Sequence, residues 1–297
     1  MSPLHDRIDT ALARALSAQR LAGSPPHLAS AVRHAVFPGG GRVRPLLTLS
    51  AARACGDDAP GLSDAAAAAV ELIHCASLVH DDLPIFDDAD QRRGRPTVHA
   101  LFGSQVALLA GDALIVHAFD FVAESAGAHC DRAVGMTRAL AAGVGMPSGI
   151  IGGQAWECEP RVDRAAYHRA KTGALFRASL EMGAIAAGHS PIPWRTLGDH
   201  IGAAYQLADD LQDVLGQGAE AGKPVGQDLR LGRPNAVVEM GVDGAIAALA
   251  RTVRDAEDAV PACVGRDGFV RLVRAIAARL VPAQALPAAP APVSAAG

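Results

Sequence analysis

The sequence predicts an all-α protein, and three observations support that. Alanine dominates the apolar residues and aromatic residues make up only 4%, a composition that favours helix. No stretch alternates β-branched and polar residues with the strict period of two that a half-buried strand needs. With 297 residues and 50% hydrophobic content, there is ample material for a large core, so most of the chain is not disordered.

Taken in order, residues 1 to 35 read as an amphipathic helix, a Gly/Ser/Pro loop at Gly23 to Pro26, and a second helix. PGGGRVRP, from Pro38 to Pro45, is a glycine-rich turn carrying Arg42 and Arg44 at the mouth of the next helix. Backbone amides and guanidiniums there suit an anion, although an ordinary helix connection is the plainer reading. Ser63 is expected to cap a helix that runs through Glu71, His74 and Ser77 to Asp81, and on it His74, Ser77 and Asp81 share one face. Further helices are expected at Gln105 to Glu124 and Asp131 to Gly145. GGQAWE (Gly152 to Glu157) and AKTGALFRA (Ala170 to Ala178) follow, the second placing Lys171 and Thr172 before a glycine and an apolar helix. In the helical YQLADDLQDV, Tyr205 to Val214, the residues Gln206, Asp209 and Asp213 project from one face. Asp210 points aside, where it can hold an arginine or lysine. GKPVGQDLRLGRPN, Gly222 to Asn235, has the composition of a flap over a phosphate, with Lys223, Asp228, Arg230 and Arg233. Ala236 to Leu280 returns to helix, and residues 282 to 297 form an Ala/Pro tail expected to be disordered.

A net charge of −4 and a pI near 6.2 carry no electrostatic footprint for nucleic acid. Polyanion binding is therefore local. Of 27 basic side chains only two are lysines, Lys171 and Lys223, and both fall in motifs. Cys55, Cys75, Cys130, Cys158 and Cys263 form no CxxC pair, which predicts thiols in a reducing cytoplasm rather than disulfides or zinc. His5, Asp6, Arg7 and Asp9 exclude a signal peptide's apolar segment. Asp112, His117 and Asp120 interrupt the longest apolar run, Val106 to Val122, so no membrane insertion is expected.

Chemistry concentrates in His80 to Arg95, HDDLPIFDDADQRRGR, where five aspartates (Asp81, Asp82, Asp87, Asp88, Asp90) precede Arg92, Arg93 and Arg95. Carboxylates this close repel by about 1 kcal/mol per pair in water, and by several times that in a cleft. Mg²⁺ offsets the repulsion, since it takes hard oxygen ligands and shares its shell with a substrate's phosphates. Arginine forks bind the same phosphates. The stretch reads as a diphosphate site. A solvated charged loop is the plainer alternative, but Leu83, Pro84, Ile85 and Phe86 lie inside the cluster. An EF-hand fails for want of its glycine and glutamate. In the second cluster, Asp209 and Asp213 also repel as an i,i+4 pair.

DDxxxxD at Asp81, Asp82 and Asp87, and DDxxD at Asp209, Asp210 and Asp213, resemble the two aspartate-rich motifs of the short-chain trans-polyprenyl diphosphate synthases. The likeness covers residues 35 to 235. It includes RRG at Arg92 to Gly94, PT at Pro96 and Thr97, GQ at Gly153 and Gln154, KTG at Lys171 to Gly173, QLADD at Gln206 to Asp210, and GKPVGxD at Gly222 to Asp228. It implies one helical domain, residues 1 to 281, enclosing a deep central cavity in a homodimer. It also implies 1'-4 trans condensation of isopentenyl diphosphate with allylic diphosphates by Mg²⁺-assisted ionisation, condensation and proton elimination. By that resemblance Asp81, Asp82, Asp87, Asp209 and Asp213 hold three Mg²⁺ ions, and Asp210 belongs with the catalytic acids. Arg92, Lys171 and Lys223 bind the allylic diphosphate. Arg44, His74 and Arg93 bind that of isopentenyl diphosphate, Arg233 is a further substrate contact, and Thr172 and Gln206 line the reacting centre.

Two departures matter. Pro84 lies in the longer first motif, so its helix is expected to bulge there. Gly41 stands where the family usually carries lysine, which leaves either Arg42 and Arg44 to bind isopentenyl diphosphate or a weaker affinity for it. Product length should follow from Ala76 and Ser77, five and four residues before Asp81. Both are small, so a fifteen-carbon chain passes and becomes geranylgeranyl diphosphate, with Phe119 and Phe121 as candidate stops. Three alternatives remain: a farnesyl diphosphate synthase, a non-catalytic partner subunit, and a phosphohydrolase using His80 and Asp81. Partner subunits tend to lose one aspartate cluster and this chain keeps both. The phosphohydrolase would need further metal-binding histidines.

Overall fold

The structure, a computed structural model, describes residues 3–37, 40–215 and 235–280. It is all-α as expected, apart from one small hairpin. Helix α1 (Pro3–Ala15), α2 (Pro26–Val36) and α3 (Val43–Ala54) lead to α4 (Pro60–Asp81), around which the others gather. After the hairpin, β1 (Gln91–Arg92) and β2 (Arg95–Pro96), come α5 (Val98–Phe102), α6 (Ser104–Glu124), α7 (Cys130–Val144), α8 (Ile150–Ala155) and α9 (Arg164–His168). A π-helical turn, Arg169–Gly173, joins α9 to α10 (Ala174–Ala186). Then follow α11 (Ile192–Leu215), α12 (Ala236–Asp258) and α13 (Arg266–Leu280).

Helix α4 is central because its sequence lets it be. Ala65 to Ala69 are all fully buried, and a helix apolar on every side belongs inside. Their short side chains let α1, α3, α6 and α10 all pack against it. One core spreads from this helix toward α1, α2, α6 and α7. A second joins α3, α10, α11 and α13 around Phe176, Trp194 and Phe269. In it the Trp194 and Phe269 rings meet edge-on at 5.1 Å. A third packs α11 on α12.

Several expectations need correcting. Helix α4 begins at Pro60 rather than at Ser63, because proline's fixed φ already suits the first helical position. The Ser63 hydroxyl instead donates to Asp57 Oδ1 at 2.5 Å. The helix does not bulge at Pro84 but ends at Asp81. Pro84 disfavours helical geometry at the residue before it, Leu83. The single helix expected from Ala236 to Leu280 is two, α12 and α13. The hairpin was also not foreseen. Its turn residues, Arg93 and Gly94, have φ of 53° and 72°, the paired positive values of a two-residue β-turn. Despite Asp112, His117 and Asp120, α6 is long and apolar enough to cross a membrane, as is α4. What distinguishes them is packing, since α4 is enclosed while α6 leaves Leu108, Leu109 and Val116 exposed. Lys223, Asp228, Arg230 and Arg233, and the tail from 282 to 297, lie outside the described residues.

Candidate active site

A cavity of about 620 Å³ opens beside the C-terminal half of α4 and is closed by α6, α8 and the π turn. Arg44, His74, Asp81, Gln154, Lys171 and Thr172 make its polar end, while Ile73, Ala76, Leu108, Ile115, Val144 and Ile150 line its apolar body. From Asp81 back to Ile73 the wall of α4 runs about 12 Å. Ala76 and Ser77 line this wall as expected. Phe119 and Phe121 do not line it. Phe121 is buried beneath the Arg14 and Arg20 guanidiniums, because these residues continue α6 beyond the turn that faces the cavity. The bulk past Ala76 comes instead from Ile73, Ile115 and Val144.

The loop after α4 returns Asp87 to Asp81, with the Asp87 amide donating to the Asp81 carbonyl at 2.9 Å. That closure explains the motif's length: the chain must leave the helix, turn at Pro84 and come back. Asp82 faces the other way. Arg92 grips it through Nε at 2.8 Å and Nη2 at 2.6 Å; Asp82 is buried and Arg92 largely so. Burial works against the Arg92 charge, but the hydrogen bonds and charge of Asp82, with Asp81 and Asp87 beyond, raise its pKa. Asp82 thus anchors Arg92, and Arg92 can offer an anion only the rest of its fork. Asp210 follows the same pattern. It is only 1% exposed, its Oδ1 accepts from Gln206 Nε2 at 2.8 Å, and its Oδ2 accepts from the Ala236 amide at 2.7 Å. It anchors the start of α12. Asp209 is exposed and Asp213 half-buried on the same helix.

Lys171 and Thr172 sit in the π turn, a local widening of the helix that recurs at functional sites. Two glycines make room for it. A Cβ on Gly153 would run into the Lys171 backbone, and one on Gly202 would meet Gly173 Cα at 2.5 Å. Lys171 Nζ is 3.8 Å from Asp81 Oδ1 and pairs closely with Glu157. Glu157 also accepts from the Tyr167 hydroxyl at 2.7 Å and from Gln154 Nε2 at 3.3 Å. Glu157 was not singled out from the sequence. The available signal was an acid three residues after Gln154 in a chain with only two lysines. Thr172 Oγ1 donates to Gln206 Oε1 at 2.6 Å, which ties the polar end of the cavity to the helix carrying Asp209 and Asp213.

A second group of cations lies across α4. Arg44 Nη1 approaches His74 Nε2 at 3.4 Å, and its guanidinium stacks over Phe176 at 4.3 Å. Burial lowers the Arg44 pKa, and Arg93 adds to that, while Glu71 and Tyr205 oppose it. Burial, then Arg44 and Arg93, hold His74 well below its ordinary 6.5. It is neutral, with Nε2 accepting from Arg44. Arg42 is buried and donates to Glu71 Oε1 at 2.8 Å, so it is not available to an anion.

The carboxylates suit magnesium. Asp81, at the polar end of the cavity, and Asp87, whose backbone returns to it, offer hard oxygen donors. Among the described residues, no three His, Cys, Asp or Glu side chains close into a metal cluster. Mg²⁺ tolerates that, because it keeps waters and completes its shell with phosphate oxygens. A structural or catalytic zinc needs three or four protein ligands. His80 is turned toward α6, with Nε2 3.2 Å from the Leu108 carbonyl, which removes the phosphohydrolase reading.

Geranylgeranyl diphosphate synthase from Cereibacter sphaeroides is 52% identical over 278 residues, 94% of this chain and 96% of that one. Farnesyl diphosphate synthase from Geobacillus stearothermophilus is 39% identical over 232 residues, 74% of this chain and 76% of its own. A solved structure, geranyltransferase from Helicobacter pylori complexed with magnesium and isoprenyl diphosphate, has a TM-score of 0.76 at 26% identity, covering 93% of this chain and 98% of that one. The polyprenyl synthetase family matches residues 25–261. An all-helical fold, an apolar cavity whose polar end carries Asp81, Lys171 and Thr172, and a match over most of the chain agree, and this chain belongs to the polyprenyl synthetase family.

Proposed function

We propose that the protein condenses isopentenyl diphosphate with allylic diphosphates and extends the chain to geranylgeranyl diphosphate. One observation carries this reading: a cavity polar at one end and apolar along its length, with small residues at Ala76 and Ser77 where a ring would block a growing chain. Identity to a geranylgeranyl diphosphate synthase, higher than to a farnesyl diphosphate synthase, supports the product length.

Asp81, Asp87, Asp209 and Asp213 would hold magnesium, three ions in this reading, and the metal when bound supplies positive charge against the departing diphosphate. Lys171, fixed by Glu157 beside Asp81, presents its ammonium where negative charge develops as the allylic C–O bond breaks. Thr172 and Gln206, bonded to each other, hold the reacting end in place. Arg44, neutral His74 and Arg93 orient isopentenyl diphosphate so that its double bond meets the allylic carbon. The new C–C bond forms, and a proton leaves the adjoining carbon for the released diphosphate. The apolar body keeps water from the allylic cation. Lys223 and Arg233 keep their motif-based roles as diphosphate contacts.

A homodimer fits the exposed apolar face of α6, and a reducing cytoplasm fits five cysteines that are all free thiols. Residues 1 to 281 form one domain in this reading. Incubating the protein with Mg²⁺, labelled isopentenyl diphosphate and each allylic diphosphate, then sizing the products, is the test. Twenty-carbon product is expected, with turnover reduced about 10³-fold in Asp81→Ala and Asp209→Ala. Near-normal turnover in either variant refutes the reading.

A further inference from the structure

We propose that Arg279, on α13, belongs to the isopentenyl diphosphate site and supplies the cation that the turn before α3 lacks at Gly41; this rests on the function proposed above. The turn itself carries Arg42 and Arg44, and the structure has committed the first. Arg42 donates through Nη1 to Glu71 Oε1 at 2.8 Å and through Nη2 to the Val36 carbonyl at 2.9 Å, while its Nε faces Asp9 at 3.6 Å. Glu71 is only 2% exposed. Turning Arg42 toward a substrate would strand that carboxylate in the interior, which is strongly unfavourable.

Arg44 and Arg93 remain, and Arg279 joins them from the far end of the chain. The Arg93 guanidinium occupies the place a side chain on Gly40 would take. Arg279 Nη2 lies 4.0 Å from where a Cβ on Gly41 would stand, and the only nearer atom among the described residues, Val43 Cγ2, is at 3.6 Å. Glycine at 41 therefore leaves open the space into which Arg279 reaches. On the other side stands the Tyr205 ring, stacked on Phe176 at 4.6 Å, which itself carries Arg44 on its face at 4.3 Å. Burial pushes the Tyr205 phenol up to about 12, and both Arg44 and Arg279 oppose that rise, as cations close to it must. No carboxylate pairs with Arg279 or with Arg44 among the described residues, and Arg44 Nε is buried without a hydrogen-bond partner there. Three guanidiniums converging around the Gly40 and Gly41 backbone, beside a neutral His74, repel one another until an anion joins them. A diphosphate, with several oxyanions, can take a fork from more than one of these arginines at once.

The test is steady-state kinetics on the full chain. Arg279→Gln should raise KM for isopentenyl diphosphate about tenfold, the loss of one charge-assisted contact, with kcat and the allylic KM within twofold. Arg279→Lys should recover part of the loss. Gly41→Lys should restore KM in the Arg279→Gln background yet change it little in the parent chain, since two cations serving one anion are not additive. Thermal melting of each variant separates a folding defect from a binding one. An unchanged KM for isopentenyl diphosphate in Arg279→Gln, or equal increases for both substrates, overturns the proposal while the function stands. If the parent chain does not condense isopentenyl diphosphate at all, both fall.

Discussion

Asp82→Ala tests whether the second aspartate of the first pair is structural. Arg92 reaches Asp82 through three contacts of 2.6, 2.8 and 3.0 Å, and the two side chains are only 14% and 6% exposed. Removing the carboxylate leaves a guanidinium buried without its partner, a loss of about 3–5 kcal/mol. In a chain of this size each kcal/mol moves the melting temperature by about 2 °C, so a drop of roughly 6–10 °C is expected. Asp81→Ala should melt within about 2 °C of the parent, since Asp81 meets Lys171 only at 3.8 Å and exposed or half-open pairs contribute about 1 kcal/mol at most. Scanning calorimetry of both variants, beside turnover, distinguishes the roles. The double variant Asp82→Ala/Arg92→Met should regain much of the stability, because an apolar pair can replace a buried ion pair, without regaining turnover. If Asp82→Ala melts like the parent and yet loses turnover as Asp81→Ala does, Asp82 acts on the substrate or metal and the anchoring role is wrong.

Ala76→Tyr should shift the product from twenty carbons to fifteen by placing a ring across the cavity wall. Continued twenty-carbon synthesis in that variant would refute the account of length control. His74 is held below its ordinary 6.5 by burial and nearby arginines, so below that pH the unfolded chain binds a proton the folded one refuses. Its contribution to stability is therefore fully present above pH 6.5 and is lost as the pH falls below it. His74→Gln should flatten the decline in melting temperature between about pH 7 and pH 5, and an unchanged slope would rule this out. Cys158 is exposed and lines the cavity, whereas burial pushes the Cys75 thiol up to about 12. N-ethylmaleimide should label Cys158 and spare Cys75, and allylic diphosphate should slow the labelling. Modification of Cys75 in the folded protein, or no protection of Cys158, would contradict the cavity's geometry.

Period and composition are local properties, and they determined what is local here. Helix α6 runs from Ser104 to Glu124 and α7 from Cys130 to Val144, each within a residue of where the apolar pattern put it. The aspartate clusters, the two lysines and the shared face of His74, Ser77 and Asp81 were equally legible, since each needs only residue identity and helical spacing. The hairpin at Arg92 to Arg95 was not, because strands of two residues are too short to show alternation. Nor was the π turn, which depends on Gly153 and Gly202 letting distant backbones approach Lys171 and Gly173. The aspartates show the same division most clearly. Asp81 and Asp82 are identical in type and adjacent, yet one faces the cavity and the other is held by Arg92, ten residues on. Arg42 and Arg44 part in the same way, one captured by Glu71 and the other left to the site. Residue type determines what chemistry a side chain can perform. Which partner it takes is decided by the long-range packing that buries one charge against another, because a buried ion without its counterpart is the more costly state.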